Sequence, residues 1–95
     1  MHARVATFQL GKGADQMIDE VRKDVEGGER PPGLEDAKGM LMLVDRSSGK
    51  SMSIVLFDDE EGLKRGDAAL NEMSPGSEVR RTAVEFYEVP VQRMD

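Results

Sequence analysis

The sequence predicts one small α+β domain, residues 1–95, with the element order βαββαβ. Ninety-five residues are enough for one domain and leave little chain for a second. Two segments carry apolar residues at helical spacing between charged residues, and four segments have the composition of strands. The two strands of the central hairpin carry apolar residues on both faces, which indicates that both faces of the sheet are covered.

The first strand and the first helix are predicted within residues 3–26. Residues 3–10 are rich in side chains that suit a pleated surface, and the segment 11–13 interrupts them with two glycines. Residues 14–26 then place apolar side chains on one side of a helix: Met17, Ile18, Val21 and Val25. Gly27 and Gly28 end this helix, because glycine adopts the left-handed cap conformation at little cost.

Strands two and three are predicted at residues 38–44 and 51–57, joined by a hairpin loop in which Gly49 supplies a positive φ. The alternation places Leu41 and Leu43 on one face of strand two and the flanking Met40, Met42 and Val44 on the other. In strand three, Met52, Ile54 and Leu56 share one face, and Val55 and Phe57 share the opposite one.

Two helices on right-handed crossovers cover only one face of such a sheet. We therefore expect an identical sheet from a second copy of the chain to cover the other face, since symmetric dimers are the commonest oligomers. Docking of a different protein on this face is the alternative.

The second helix is predicted to begin after Asp58 and to run to about Met73. Asp58 is expected to cap it, with Glu61 three residues later as in a capping box. Its apolar side consists of Leu63, Leu70 and Met73, residues 74–76 end it, and strand four follows at 79–89. The acidic run 58–61 is interpreted as helix capping rather than a cation site, because it lacks the ligand spacing of a calcium loop.

The composition excludes several classes of function. The net charge of −6 and the lack of a basic stripe argue against nucleic acid. Cysteine is absent, which excludes disulfides and thiolate chemistry, and His2 is the single imidazole, so we expect neither a metal site nor a cofactor. The longest apolar run is too short to cross a bilayer, and no signal peptide is recognisable, so the protein is expected to be cytoplasmic and not bound to membranes.

Several short segments resemble the antibiotic biosynthesis monooxygenase-like family. They are Met1-His2-Ala3-Arg4-Val5, Pro32-Gly33-Leu34, the hairpin segment 43–50, the segment 57–63 and Tyr87-Glu88-Val89. The resemblance spans nearly the whole chain and implies a dimeric α+β barrel, in which two ferredoxin-like sheets face each other. It also implies a ligand pocket inside each subunit, between the sheet and its helices.

The resemblance implies two kinds of activity, of which one is not expected here. Some members oxidise aromatic polyketides without metal or flavin, and others bind and degrade haem. The haem-degrading members use an Asn on strand one, a Trp at the end of strand three and a His on helix two. Here strand one has Ala6 or Thr7, the strand-three position matches Phe57, and helix two has no His. We therefore do not expect haem degradation by that mechanism.

A candidate pocket follows from two glycines, Gly62 and Gly66, inside the second helix. Each costs about 0.8–1.0 kcal/mol relative to alanine in a helix interior, so they indicate either close packing of the helix on the sheet or space left for a ligand. The residues expected to line such a pocket are Thr7, Ser53, Phe57, Leu63, Gly66, Leu70 and Tyr87. An ordinary hydrophobic core is the alternative interpretation of the same residues.

Two classes of function remain open at this point. One is a cofactor-independent monooxygenase acting on an apolar or aromatic small molecule, in which Tyr87 and Arg4 would polarise a substrate oxygen. The other is a non-catalytic homodimer that binds a ligand or scaffolds a partner.

Overall fold

A computed structural model describes residues 1–10, 14–27, 34–72 and 79–93. The predicted element order is confirmed, and the strand bounds differ from the predicted ones by one residue at a few ends. The elements are β1 (His2–Leu10), α1 (Ala14–Glu26), β2 (Ala37–Asp45), β3 (Lys50–Phe57), α2 (Glu60–Asn71) and β4 (Val79–Glu88). The predicted breaks at 11–13, 28 and 74–76 lie outside what the structure describes, and so do the side chains of Met17, Val25 and Met73, which the sequence predicts on the apolar sides of the two helices.

The four strands form one antiparallel sheet in the order β2-β3-β1-β4. This order, with two helices in a βαββαβ chain, is compatible with a ferredoxin-like fold. β1 therefore pairs on both sides, with β3 and with β4, whereas β2 and β4 are the edge strands. Val89 extends the β1–β4 pairing, because its backbone N–H donates to the carbonyl oxygen of Met1 at 2.8 Å.

One face of the sheet, which we call the α2 face, packs against α2. The register places Arg4 between Val55 and Phe86, and Met40 next to Val55, so these side chains share this face. Leu63 of α2 packs with Val55 and Phe57 in the buried core. The predicted shared face of Val55 and Phe57 is therefore confirmed.

The opposite face, which we call the Leu41 face, is also apolar. Leu41 pairs with Ile54, Ile54 with Val5, and Leu43 with Met52. Val5 is buried at the centre of this face, but Leu41 and Leu43 on edge strand β2 are 49% and 47% exposed. Tyr87 on the other edge strand is 49% exposed as well. Both faces of the hairpin thus carry apolar side chains, as its sequence predicts.

The N-terminal cap of α2 is Asp59, so the prediction of Asp58 with a Glu61 capping box is wrong. The backbone of Asp59 is still extended, with φ −138° and ψ 169°, and its carboxylate oxygen Oδ1 accepts from the N–H of Gly62 at 2.7 Å. The third residue of the helix is therefore Gly62, which has no side chain to complete a capping box. Asp58 lies 3.4 Å from the ammonium group of Lys38 instead.

The β2–β3 hairpin turns at Gly49, as predicted. Its φ is +76°, a conformation that favours glycine. The Gly49 carbonyl accepts from the N–H of Leu10 at 2.7 Å, which ties the hairpin to the end of β1. At the same end, Arg46 Nη1 donates to Asp15 Oδ1 of α1 at 2.9 Å.

Neither α1 nor α2 is a membrane-spanning helix by length and apolar character, within the residues described.

Candidate functional site

The core beneath α2 brings together four of the seven predicted pocket residues. Phe57 is completely buried, and Leu63 packs beside it. Leu70 is partly buried against the same cluster, and Gly66 lies between the two leucines on the inward side of the helix.

The space beneath Gly66 is occupied by the ring of Phe57. A Cβ atom placed on Gly66 would overlap the ring carbon Cζ of Phe57 and would lie 2.6 Å from Cε1. It would also lie 3.4 Å from Cδ2 of Leu34. Gly66 thus permits α2 to approach the sheet closely at this point, which corresponds to the packing interpretation of the glycine.

The other three predicted residues lie away from this cluster. Ser53 is half-buried on the α2 face, opposite Ala6. Thr7 points to the Leu41 face, since it pairs with Met52 and alternates with Ala6.

Tyr87 also alternates onto the Leu41 face, and its hydroxyl donates to the carboxylate oxygen Oε2 of Glu85 at 2.8 Å. This hydrogen bond, with smaller effects of burial and of the Glu85 charge, raises the pKa of Tyr87 above its ordinary value. The phenol therefore stays protonated and engaged with Glu85 near neutral pH.

A groove of about 500 Å³ lies between α2 and strands β1 and β4. It exists because α2 packs against β1, β3 and β2 and makes little contact with β4. The helix contributes residues at i, i+3, i+4 and i+7, which form one stripe along α2: Glu60, Leu63, Lys64 and Asp67. The strands contribute the opposite wall, formed by His2, Phe86 and Glu88; Tyr87 also borders the groove, although its side chain points to the Leu41 face.

The groove combines an exposed aromatic ring with ionisable groups. Phe86 is 52% exposed although it lies on the α2 face, because α2 does not extend over β4. Glu88 is the cross-strand partner of His2, so their side chains are neighbours on the α2 face. Among the described residues, the side chains of Glu60, Lys64 and Glu88 form no ion pair within 4 Å.

Arg4 anchors the groove wall at Asp67. This arginine is 3% exposed, and its Nε donates to Asp67 Oδ1 at 2.8 Å. Its Nη2 donates to Asn71 Oδ1 at 3.2 Å, and Arg81 of β4 donates to the same oxygen at 2.7 Å. The network joins β1 and β4 to the C-terminal half of α2. The guanidinium of Arg4, considered above for a substrate oxygen, is thus engaged with Asp67 and Asn71.

Sequence reasoning identified only Leu63 and Tyr87 among the residues that line this groove. The sequence shows His2 only as the single imidazole, whereas the structure places it in β1 between Phe57 and Glu88. The helical spacing of Glu60, Lys64 and Asp67 was readable, but charged residues on a stripe usually face solvent. Their position beside Phe86 depends on how far α2 extends across the sheet.

In the part of the chain that the structure describes, no group of three or more His, Asp or Glu side chains is arranged to hold a metal ion. No protein-family model matches the chain, and no curated protein sequence matches it significantly. The family resemblance therefore stays a prediction.

Proposed function

We propose that the protein is a homodimer of the α+β barrel type that binds a small apolar or aromatic molecule in the groove between α2 and β4. The groove itself carries this proposal. Its volume is within the range of about 300–1,000 Å³ that is typical of small-molecule sites. Leu63 and the exposed ring of Phe86 supply apolar surface, and a few ionisable groups surround them.

The groove is a better ligand site than the space beneath Gly66. The Phe57 ring fills the volume under that glycine, so a ligand there would have to displace a completely buried side chain. In contrast, a ligand in the groove would cover the half-exposed Phe86 and gain apolar contact without displacing the core.

The ligand site is tested by titrating the protein with 2-naphthalenemethanol and following backbone amide shifts by NMR. We expect saturable shifts at residues 63–67 and 86–88. The Phe86→Ala variant should bind several-fold more weakly, because it removes a half-exposed aromatic ring from the wall of the groove.

The matched control is Met40→Ala. Met40 is an apolar side chain of comparable exposure on the same face of the sheet, but it lies on the opposite edge strand and does not line the groove. It should leave binding unchanged. Shifts spread evenly over the chain, or equal affinity in the Phe86→Ala and wild-type proteins, would remove the ligand from this groove.

The Leu41 face supports the dimer. Leu41, Leu43 and Tyr87 are about half exposed there, around a buried centre that includes Val5 and Leu56. Packing this face on its copy about a twofold axis would bury the exposed side chains of both subunits. Light scattering at micromolar concentration is expected to give twice the chain mass of 10.5 kDa. A folded monomer at that concentration would contradict the dimer.

The geometry favours binding over oxygenation. The two groups that the sequence suggested for polarising a substrate oxygen are already engaged, Arg4 by Asp67 and Asn71, and Tyr87 by Glu85. We therefore expect oxygen uptake with a panel of hydroquinones to stay at the rate of buffer. Protein-dependent uptake that Phe86→Ala abolishes would instead establish the monooxygenase.

A further inference from the structure

We infer that the groove selects aromatic molecules that carry a positive charge, such as an aromatic ammonium, over neutral and anionic molecules of the same shape. This inference rests on the proposed ligand site and adds the chemical class of its ligand. It is carried by the charges of the groove and by the exposed ring of Phe86 in the same groove.

The charges that line the groove are predominantly negative. The groove is lined by the carboxylates of Glu60, Asp67 and Glu88 and by the ammonium of Lys64, and the imidazole of His2 lies next to Glu88. Asp67 is paired with the buried Arg4 at 2.8 Å and is neutralised by it. Glu60 and Glu88 remain, and neither forms an ion pair with a described residue. A bound cation would therefore meet two carboxylates that form no ion pair with the residues the structure describes, one of them next to the imidazole of His2.

The N-terminus of α2 does not reverse this sign. A helix N-terminus carries about half a positive charge, which by itself would favour an anion. At this end of α2, however, four carboxylates follow one another in residues 58–61. Asp59 already accepts from the Gly62 N–H. The electrostatic potential at this end of α2 is therefore negative, and the net charge of −6 makes it more so.

The ring of Phe86 favours cations that are also aromatic over other cations in this negatively charged groove. Its exposed surface offers stacking to an aromatic ligand, and the face of a benzene ring attracts a cation. Lys64 lies four residues after Glu60 on the same helix, but the two side chains form no ion pair. Lys64 therefore leaves the Glu60 carboxylate available to a cationic ligand.

The test compares three ligands of one shape near pH 7 and at low salt. They are 2-naphthylmethylamine, 2-naphthalenemethanol and 2-naphthoate, which are cationic, neutral and anionic. We expect the amine to bind most tightly and the carboxylate most weakly, with about a tenfold difference in Kd between these two. Added salt should reduce the difference, because it screens exposed charges.

Matched glutamate variants assign the preference to the groove. Glu88→Gln and Glu60→Gln should each lower the ratio of amine to carboxylate affinity by about threefold, since each removes one unpaired carboxylate. Binding of the neutral alcohol, measured in the same variants, separates a loss of charge from a change in the shape of the groove. Glu61→Gln removes a neighbouring charge on α2 that does not line the groove, and it should keep most of the ratio.

Three results would overturn the inference. Equal binding of the three ligands would show a groove without charge selection and would leave the ligand site standing. An equal ratio in Glu88→Gln and Glu61→Gln would assign the preference to the overall charge of the protein. If none of the three ligands shifted the amides of the groove, the proposed site would fall and the inference with it.

Discussion

A side chain added at Gly66 would occupy the same volume under α2 as the ring of Phe57, and this overlap decides the effect of a substitution. Gly66→Ala should lower the free energy of unfolding by about 1–3 kcal/mol, because the new methyl group overlaps the Phe57 ring. This ring is completely buried, so it cannot move aside into solvent. The gain in helix propensity, about 1 kcal/mol, is too small to offset this overlap. Urea unfolding of the two proteins measures the difference.

A double-mutant cycle identifies the Phe57 ring as the cause. In a Phe57→Leu background, the added methyl group no longer meets Cζ and Cε1, so Gly66→Ala should cost less or should stabilise the protein. A wild-type background in which Gly66→Ala stabilises the protein would mean that free space exists beneath the helix. That outcome would return the ligand site to the position the sequence suggested.

Tyr87 offers a second measurement at the scale of one residue. It is the only tyrosine and the chain has no tryptophan, so the ultraviolet absorbance change on ionisation reports this side chain alone. We expect a pKa above the ordinary value of 10.0, chiefly because the hydroxyl donates to Glu85. Glu85→Gln should lower the pKa, whereas Glu88→Gln, a neighbour without this hydrogen bond, should not. Equal pKa values in all three proteins would contradict the bond.

At the scale of elements, α2 forms a buried Arg–Asp ion pair with β1 and an exposed one with Asp36, the residue before β2. Arg4 of β1 holds Asp67 at 2.8 Å, with the arginine side chain 4% exposed. Arg65 of α2 holds Asp36 at 2.7 Å, but both of these side chains are about half exposed. The two pairs therefore differ in burial far more than in distance.

Removal of the acid from each pair should have unequal effects. Asp67→Ala should lower the free energy of unfolding by about 3 kcal/mol, since it leaves the Arg4 charge buried with Asn71 as its remaining partner among the described residues. Asp36→Ala should lower it much less, because water solvates the exposed Arg65. Thermal or urea unfolding compares the two variants, and equal losses would show that burial does not decide the strength of this attachment.

At the scale of the whole molecule, the two faces of edge strand β2 allow a matched test of the dimer. Leu41 and Met40 are adjacent and similarly exposed, at 49% and 43%, but they point to opposite faces of the sheet. Leu41→Lys should give a monomer by light scattering, because it places a charge on the proposed interface. Met40→Lys should remain dimeric. Identical masses for both variants would exclude the Leu41 face as the interface.

The order of the elements could be predicted because it depends on local patterns. The alternation in the hairpin assigned each side chain of β2 and β3 to a face, and Gly49 marked the turn correctly. The start of α2 was misplaced by one residue, since Asp58 and Asp59 are equally good caps by type and only the extended backbone of Asp59 decides between them.

The candidate site was less predictable because it depends on packing between distant segments. Sequence spacing does not show that the Phe57 ring fills the space under Gly66. Nor does it show that α2 stops short of β4, which leaves Phe86 exposed and places His2 and Glu88 beside a helix far from them in the chain. Both facts follow from tertiary geometry.

The pairing of β1 with both β3 and β4 has a consequence for the route by which the chain folds. The first strand occupies an inner position, and one of its two edges is covered only by the last strand, down to the contact between Met1 and Val89. Non-local pairing of this kind requires the chain to lose loop-closure entropy before the stabilising contacts form. We therefore expect folding to be slower than in a helical bundle of equal length. Until β4 docks, β1 presents an unpaired edge to other copies, and aggregation during synthesis should therefore increase when β4 is destabilised.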